Sequence, residues 1–151
     1  MLQVKSTNYI LNSINATKSK VVYYLECWRI FGNHGRQKWI FIGIPLIQEA
    51  SMANIGIVNK DNELIIPPFT KTLAGTTSKA VIQLFEKGDI PSHILKAIRH
   101  DVLLTTEAKN IAKEVIIMGG GAIVPVLQWD DKIISNTPGI VCKYLQSHIG
   151  K

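Results

Sequence analysis

The sequence has few of the residues that build metal centres or disulfide-stabilised domains. Only two cysteines, Cys27 and Cys142, occur among its 151 residues. They are too few for a disulfide framework and lack metal-ligand spacing, which favours a reducing compartment. The four histidines form no pair at metal-ligand spacing, and no Ser-His-Asp or Cys-His arrangement has supporting context. We therefore expect no metal site and no triad hydrolysis.

Apolar runs long enough for a membrane are also lacking. The apolar stretch at residues 39–47 is interrupted by Pro45 and is shorter than the roughly 18–20 residues of a membrane span. No apolar segment of the signal-peptide type follows Met1. These absences predict a soluble, cytoplasmic protein with no membrane partner. An organellar location is the alternative if an N-terminal region is missing.

The net charge of +6 is concentrated at one end of the chain. Residues 1–48 contain six Lys/Arg and one acidic residue, whereas residues 49–151 contain eleven and ten. The six basic residues are scattered and do not cluster on one helical face. A basic patch, not net charge, marks a nucleic-acid interface, so we expect no nucleic-acid partner.

The composition and length predict one globular domain over residues 1–151. Hydrophobic residues make up 46% and charged residues 19% of the chain. Residues 53–58 and 63–66, separated by a polar turn at 59–62, predict a β-hairpin. Strands are also predicted at residues 114–118, 122–128 and 133–134.

Three helices are predicted from capping residues and apolar spacing. Thr76 or Thr77 is expected to cap the first, whose apolar positions 80, 81, 84 and 85 form one stripe. A second is expected from Thr105 to Ala112. Pro138 is expected in the first turn of a third, which runs to about residue 147. Residues 21–48 carry aromatic clumps without a period of two or 3.6, and we assign them no structure.

Two glycine-containing segments are candidates for ligand contact. Gly75-Thr76-Thr77 at a helix start has backbone N–H groups and hydroxyls suited to a phosphate, although an ordinary helix cap is the simpler interpretation. Gly119-Gly-Gly121 between two strands permits close approach of a ligand, although a bulge without a ligand is the simpler interpretation. Neither segment has the pattern of a Walker loop or a dinucleotide fingerprint.

Two charged residues have chemical interest only in a particular setting. A lone lysine such as Lys5 is usually a solvated surface charge, unless burial lowers its pKa and makes the amine a nucleophile. A carboxylate before a strand, such as Glu49, is usually exposed, unless it faces the ring nitrogen of a cofactor.

Five segments in series resemble one enzyme family. They are residues 4–12, 49–58, 64–69, 73–77 and 118–130, which read VKSTNYILN, EASMANIGIV, LIIPPF, LAGTT and MGGGAIVPVLQWD. They resemble the class IV (fold type IV) pyridoxal-phosphate aminotransferases, which include branched-chain and D-amino-acid aminotransferases, with plant members most similar. The resemblance covers residues 3–20 and 49–147 and implies an α/β, barrel-like C-terminal domain. It implies pyridoxal 5'-phosphate as the cofactor.

The resemblance also implies roles for single residues. Lys5 matches the catalytic lysine that forms the internal aldimine and moves the substrate proton. Tyr9 matches the aromatic residue near the cofactor's phenolic oxygen, and Glu49 matches the acid that protonates the pyridine nitrogen. Asn54 follows Glu49 at the family interval. The pair Thr76 and Thr77 matches the binding site of the cofactor phosphate.

The glycine segment matches the family less closely. Gly119 stands where the family often has a threonine or serine that reaches the phosphate, so only its backbone is available for that contact. Gly120 and Gly121 match positions on the side of the substrate carboxylate.

The chain also departs from the family pattern. The family's enzymes have an N-terminal domain before the lysine, and only four residues precede Lys5, so we expect that domain to be absent and the chain truncated. The interval from Lys5 to Glu49 is longer than the family's, because residues 21–48 look like a poorly matched insert.

Three functional hypotheses follow. The first is transamination between a branched-chain or D-amino acid and a 2-oxo acid through Lys5, impaired by truncation, in a family whose full-length members are expected to form homodimers. The second is a non-catalytic relict or pseudoenzyme that acts at most as an interaction subunit. The third and least favoured is a small basic module that binds nucleic acid.

Overall fold

The computed structural model describes residues 23–25, 47, 49–50, 53–129 and 132–149, with the backbone alone at 23–25 and 49–50. The predicted catalytic lysine, Lys5, and the predicted cofactor neighbour, Tyr9, lie outside these residues. The elements in chain order are β1 Tyr23–Leu25, β2 Glu49–Ala50, β3 Ala53–Val58, β4 Glu63–Ile66, α1 Thr76–Glu86, β5 Ala97–His100, α2 Thr105–Ile111, β6 Glu114–Gly119, β7 Ala122–Trp129, β8 Lys132–Ile133 and α3 Ile140–His148.

The strands of the described residues form one mixed sheet. Its order is β1-β7-β6-β3-β4-β5, with β2 added to β3 and β8 added to β7. Strand β3 is antiparallel to β6 and β4, whereas β4 and β5 are parallel and are joined through α1. The predicted α/β class is confirmed. In these residues the sheet is open, with β1 and β5 at its two ends.

Helices cover both faces of the sheet. Alternate residues of β3, β4 and β6 point to one face, where Val58, Leu64 and Ile116 pack with residues of α1 and α3. The intervening residues, such as Ile57 and Val115, point to the other face and form a second cluster with Ala108 of α2. Because central strands are buried on both sides, they read as continuous apolar runs.

The hairpin and the second helix match the sequence prediction. Strands β3 and β4 occupy the predicted residues and pair through Val58 and Leu64, with Asn59 stabilising the turn between them. The amide oxygen of Asn59 accepts the N–H groups of Asp61 and Glu63, as expected for turn chemistry. Helix α2 begins at Thr105 and carries Glu107 in its first turn, as predicted.

The helix caps differ from the prediction. Neither Thr76 nor Thr77 caps α1, because its cap residue is Gly75, which has no side chain to bond the first turn. Pro138 is not inside the first turn of α3, since Gly139 is the cap and the helix starts at Ile140. Both errors arise because a glycine directly before each helix takes the extended cap conformation.

Three strands, β1, β2 and β5, lie where the sequence predicted none. Strand β5 has no clear alternation and pairs only with β4 in the described residues, so tertiary pairing and not local pattern determines it. Strand β1 lies within residues 21–48 and pairs in parallel with β7.

Candidate active site

One end of the sheet brings together several predicted site residues. Asn54 on β3 lies opposite Glu49 of β2 on one side and opposite Met118 of β6 on the other. Met118 directly precedes Gly119, where β6 ends. The backbone of Glu49 and the glycine turn between β6 and β7 are therefore at the same end of β3.

The side chain of Asn54 joins this end of the sheet to the start of α1. It is buried, and its Nδ2 donates to the carbonyl of Leu73 at 2.7 Å. Its Oδ1 accepts the Gly75 N–H at 3.1 Å and lies 2.8 Å from the Ser78 hydroxyl. That hydroxyl is also 2.9 Å from the Gly75 carbonyl, so its one proton serves either acceptor.

The start of α1 is built to leave its first turn open to an anion. Gly75 makes no side-chain cap bond, and the first turn contains no acidic residue. The first N–H groups of a helix have no intrahelical partner, and the helix dipole favours negative charge there. A Cβ atom on Gly75 would lie 2.4 Å from Asn54 Oδ1, so this close approach requires glycine.

The glycine turn between β6 and β7 contacts the same helix start. Gly120 and Gly121 both have positive φ, of 59° and 75°, which suits a two-residue hairpin turn and explains why glycine occupies them. The Gly121 N–H donates to Thr77 Oγ1 at 2.9 Å. Because the Thr77 oxygen accepts this bond, the proton of its buried hydroxyl remains available for donation.

Three of the predicted site residues, Thr76, Thr77 and Gly119, differ in their surroundings. Thr76 is exposed at the first position of α1, and Thr77 is buried beside the glycine turn. Gly119 ends β6 and pairs with Ala122, as an ordinary strand residue. The predicted contacts of these residues with a cofactor or substrate stay predictions.

Sequence reasoning missed the bonds made by Asn54 and Ser78. Asn54 was noted only for its distance from Glu49, and Ser78 was not singled out. The available signal was a polar residue within the apolar strand at residues 53–58, because buried amides are almost always hydrogen-bonded.

The start of α3 is occupied by the protein itself. The buried Glu114 carboxylate accepts the N–H of Val141 at 3.1 Å and of Cys142 at 3.0 Å. A Cβ on Gly139 would lie 1.9 Å from Glu114 Cδ, so glycine is required here too. Burial, together with the nearby Glu114 carboxylate, raises the pKa of the Cys142 thiol from 9.0 to about 12.

In the part of the chain that the structure describes, no helix is long and apolar enough to cross a membrane. No group of three or more His, Cys, Asp or Glu side chains there is arranged to hold a metal ion.

Comparison with known proteins identifies the family. The family described as Amino-transferase class IV matches residues 1–129, a range that includes residues 21–48. A D-amino-acid transaminase, chloroplastic, from Arabidopsis thaliana is 30% identical over 139 residues, which are 87% of this chain and 32% of the relative.

Solved structures agree on the fold. The branched-chain amino acid aminotransferase of Escherichia coli superposes with a TM-score of 0.58 at 30% identity, over 68% of this chain and 32% of that one. The branched-chain aminotransferase of Thermobaculum terrenum in its PLP form superposes with a TM-score of 0.57 at 24% identity, over 68% and 32%. The cofactor that the sequence predicts, pyridoxal 5'-phosphate, is the one that this neighbour's name gives as PLP.

The chain spans about a third of the length of these relatives. The family match covers more than half of this chain, and its range includes the start of α1 and the glycine turn. The resemblance predicted from the five segments is confirmed, and the chain belongs to the class IV aminotransferase family.

Proposed function

We propose that this chain binds pyridoxal 5'-phosphate and takes part in transamination between an amino acid and a 2-oxo acid. The observation that carries the proposal is the uncapped start of α1, where Thr77, next to Thr76, bonds the glycine turn within a class IV aminotransferase sequence. When bound, the cofactor supplies an electron sink that stabilises negative charge on the substrate's α carbon.

The residues at the start of α1 fit a phosphate. A phosphate of charge near −2 gains from the dipole and the unpaired N–H groups of a helix start. The first turn of α1 lacks an acidic residue that would repel it. The Gly121 N–H orients the Thr77 hydroxyl, which is left to donate its proton to a phosphate oxygen.

We assign the other end of the cofactor to residues on and before β2. In this assignment the Glu49 carboxylate would hold the proton on the pyridine nitrogen, and Tyr9 would contact the phenolic oxygen. The Lys5 amine binds the cofactor and moves a proton at the α carbon of the substrate. The support for these roles is the family pattern and the pairing of Glu49 with Asn54 in the sheet.

The glycine turn is proposed to bind the substrate carboxylate. Because the Gly121 N–H is bonded to Thr77, the Gly120 N–H is the better donor to that carboxylate. Gly119 has no hydroxyl, so any contact that it makes with the phosphate comes from its backbone.

The substrate class and the location are proposed from the names of the relatives. Their names give D-amino acids and branched-chain amino acids, and we propose one of these two classes as substrate. An organellar location is proposed because the Arabidopsis relative is named chloroplastic. A homodimer is proposed from the family resemblance alone.

Cofactor titration of the full chain tests the proposal. Pyridoxal phosphate should produce a new near-ultraviolet or visible absorption band in the wild-type protein, and Lys5→Ala should not show it. Turnover is then measured by following 2-oxo acid formation from D- and branched-chain amino acids with 2-oxoglutarate as acceptor. Absence of the band at millimolar cofactor, with elution only in complex with a related subunit, would instead support the non-catalytic alternative.

A further inference from the structure

We propose that Asn54 is the positioning residue of the phosphate site, because it fixes the start of α1 from the neighbouring strand. This inference rests on the proposed function, since it assigns a role at the same site. It concerns a residue that acts through the helix start and not through contact with the cofactor.

The hydrogen bonds of Asn54 join β3 to one continuous stretch of the chain, residues 73–78. The side chain donates to the Leu73 carbonyl in the loop before α1 and accepts from Gly75 at the helix cap. It also lies within hydrogen-bond distance of Ser78 in the first turn of α1. The loss of these partners by a buried amide would be costly, so the two segments are held in one arrangement.

Asn54 fixes the helix start without using the first-turn N–H donors that an ordinary cap side chain would use. A side chain at the cap residue normally accepts the N–H groups of the second or third helical residue and so uses up donors of the first turn. Asn54 instead bonds the N–H of the cap residue and a side-chain hydroxyl. It fixes the helix start while the backbone N–H groups of Thr76 and Thr77 stay directed to a ligand.

Asn54 also connects the two ends of the proposed cofactor site. It lies opposite Glu49 in the pairing of β2 with β3, and its side chain holds the cap of α1. Asn54 therefore helps to set the distance between the phosphate site and the backbone of the residue assigned to the pyridine nitrogen, together with the Thr77–Gly121 bond. A shift of the helix start would change that distance without removing any residue that contacts the cofactor.

The test compares two cofactor forms that differ only in the phosphate. Affinities of the full chain for pyridoxal phosphate and for pyridoxal are measured by titration, with borohydride trapping on Lys5 and mass spectrometry to detect weak occupancy. Asn54→Ala should weaken pyridoxal phosphate about tenfold and pyridoxal less than about twofold, because the phosphate contacts alone lose their geometry. Ser78→Ala, which removes one of the bonds, should produce the same selective loss at about threefold.

Asn59→Ala is the matched control. Asn59 is also a hydrogen-bonding asparagine next to β3, but it bonds Glu63 and the hairpin turn and not α1. It should lower stability without changing the ratio of the two affinities.

The outcomes separate this inference from the proposed function. If the wild-type chain binds neither cofactor form, the proposed function fails. If it binds pyridoxal phosphate but Asn54→Ala and Ser78→Ala weaken both forms equally, or neither, the proposed function stands and the positioning role is wrong. If Asn54→Ala does not fold, the ratio measured for Ser78→Ala decides.

Discussion

The starts of α1 and α3 have the same construction and different occupants. Each has a glycine cap in an extended conformation, without a side-chain cap bond. In each, a side chain from the sheet approaches so closely that a Cβ on the glycine would clash. At α3 that side chain is the Glu114 carboxylate, which bonds two first-turn N–H groups. At α1 it is the neutral amide of Asn54, which bonds the cap residue instead.

This difference is the one expected between a structural helix start and the ligand-binding start that we propose for α1. The α3 start already contains the negative charge that the helix dipole favours, and that charge is buried within the protein. The α1 start has neither an acidic residue nor a capping side chain, although it has two threonines. We infer that the missing negative charge at α1 is supplied from outside, by the phosphate of the cofactor.

The largest expected effect comes from closing the space at the α3 start. In Gly139→Ala the new methyl group would displace the Glu114 side chain and leave a buried carboxylate without its two donors. We expect a loss of about 3 kcal/mol in the free energy of unfolding, measured by urea denaturation. Lys143→Ala, at an exposed position of α3, should change it by less than about 0.5 kcal/mol. Equal changes in the free energy of unfolding in the two variants would contradict the structural role assigned to Glu114.

A smaller effect is expected from neutralising the internal anion. Glu114→Gln keeps the shape of the side chain but removes the charge and one of the two acceptors. We expect a loss of about 2 kcal/mol of stability, because hydrogen bonds to charged groups are the stronger ones. The control is Glu107→Gln in the first turn of α2, where the acid is exposed and worth about 0.5 kcal/mol. A difference between them smaller than experimental error would contradict the comparison.

Placing a carboxylate of the protein at the start of α1 should make that start resemble the start of α3, where Glu114 supplies the negative charge. In Thr76→Asp a carboxylate enters the first turn, where it should raise stability by about 0.5 kcal/mol and compete with the phosphate. Pyridoxal phosphate should bind at least about tenfold more weakly. Thr106→Asp places the same group in the first turn of α2 and should leave cofactor affinity unchanged. Unchanged affinity in Thr76→Asp would show that the phosphate binds elsewhere.

The smallest effect concerns the thiol in the first turn of α3. Helix starts usually lower a cysteine pKa, but burial and the Glu114 carboxylate raise the pKa of Cys142 to about 12. In a Cys27→Ser background, a thiol reagent should therefore leave native Cys142 unmodified at pH 8 and modify it after unfolding. Glu114→Gln should lower this pKa without returning it to 9.0, since burial persists.

The raised pKa of Cys142 also predicts a pH dependence of stability. Below pH 9 the thiol is protonated in both the folded and the unfolded chain. As the pH rises from 9 through about 12, the unfolded chain loses the proton first, so stability decreases. The decrease should be steeper in the parent than in Cys142→Ala, and identical slopes would contradict it.

The sequence predicted a hairpin and a helix of the fold correctly. The cofactor site that it places at the start of α1 stays a prediction. The β3–β4 hairpin and α2 follow from local patterns, because the turn residue Asn59 and the first-turn acid Glu107 act on their own segments. Strand β5 did not follow, since its pairing with β4 depends on the crossover through α1. The threonine cap predicted for α1 and the place predicted for Pro138 in α3 are wrong, because the side chains at both helix starts, Asn54 and Glu114, come from distant strands.

The positions of the threonines and glycines were predicted from their resemblance to the family, but the bonds between them were not. The Thr77–Gly121 bond joins residues 44 apart in the chain. It depends on how the β6–β7 turn lies against α1, and local sequence patterns contain no information on that distance. The same reason explains why Asn54 was noted for its spacing and not for its contacts.

The most direct test is an amide proton–nitrogen NMR titration of the full chain with pyridoxal phosphate. The central claim is that α1 begins at an anion site and α3 does not. It predicts the largest shifts at the amides of Thr76, Thr77 and Ser78, with little change at Val141 and Cys142. Equal shifts at both helix starts, or shifts confined to residues away from α1, would contradict the claim.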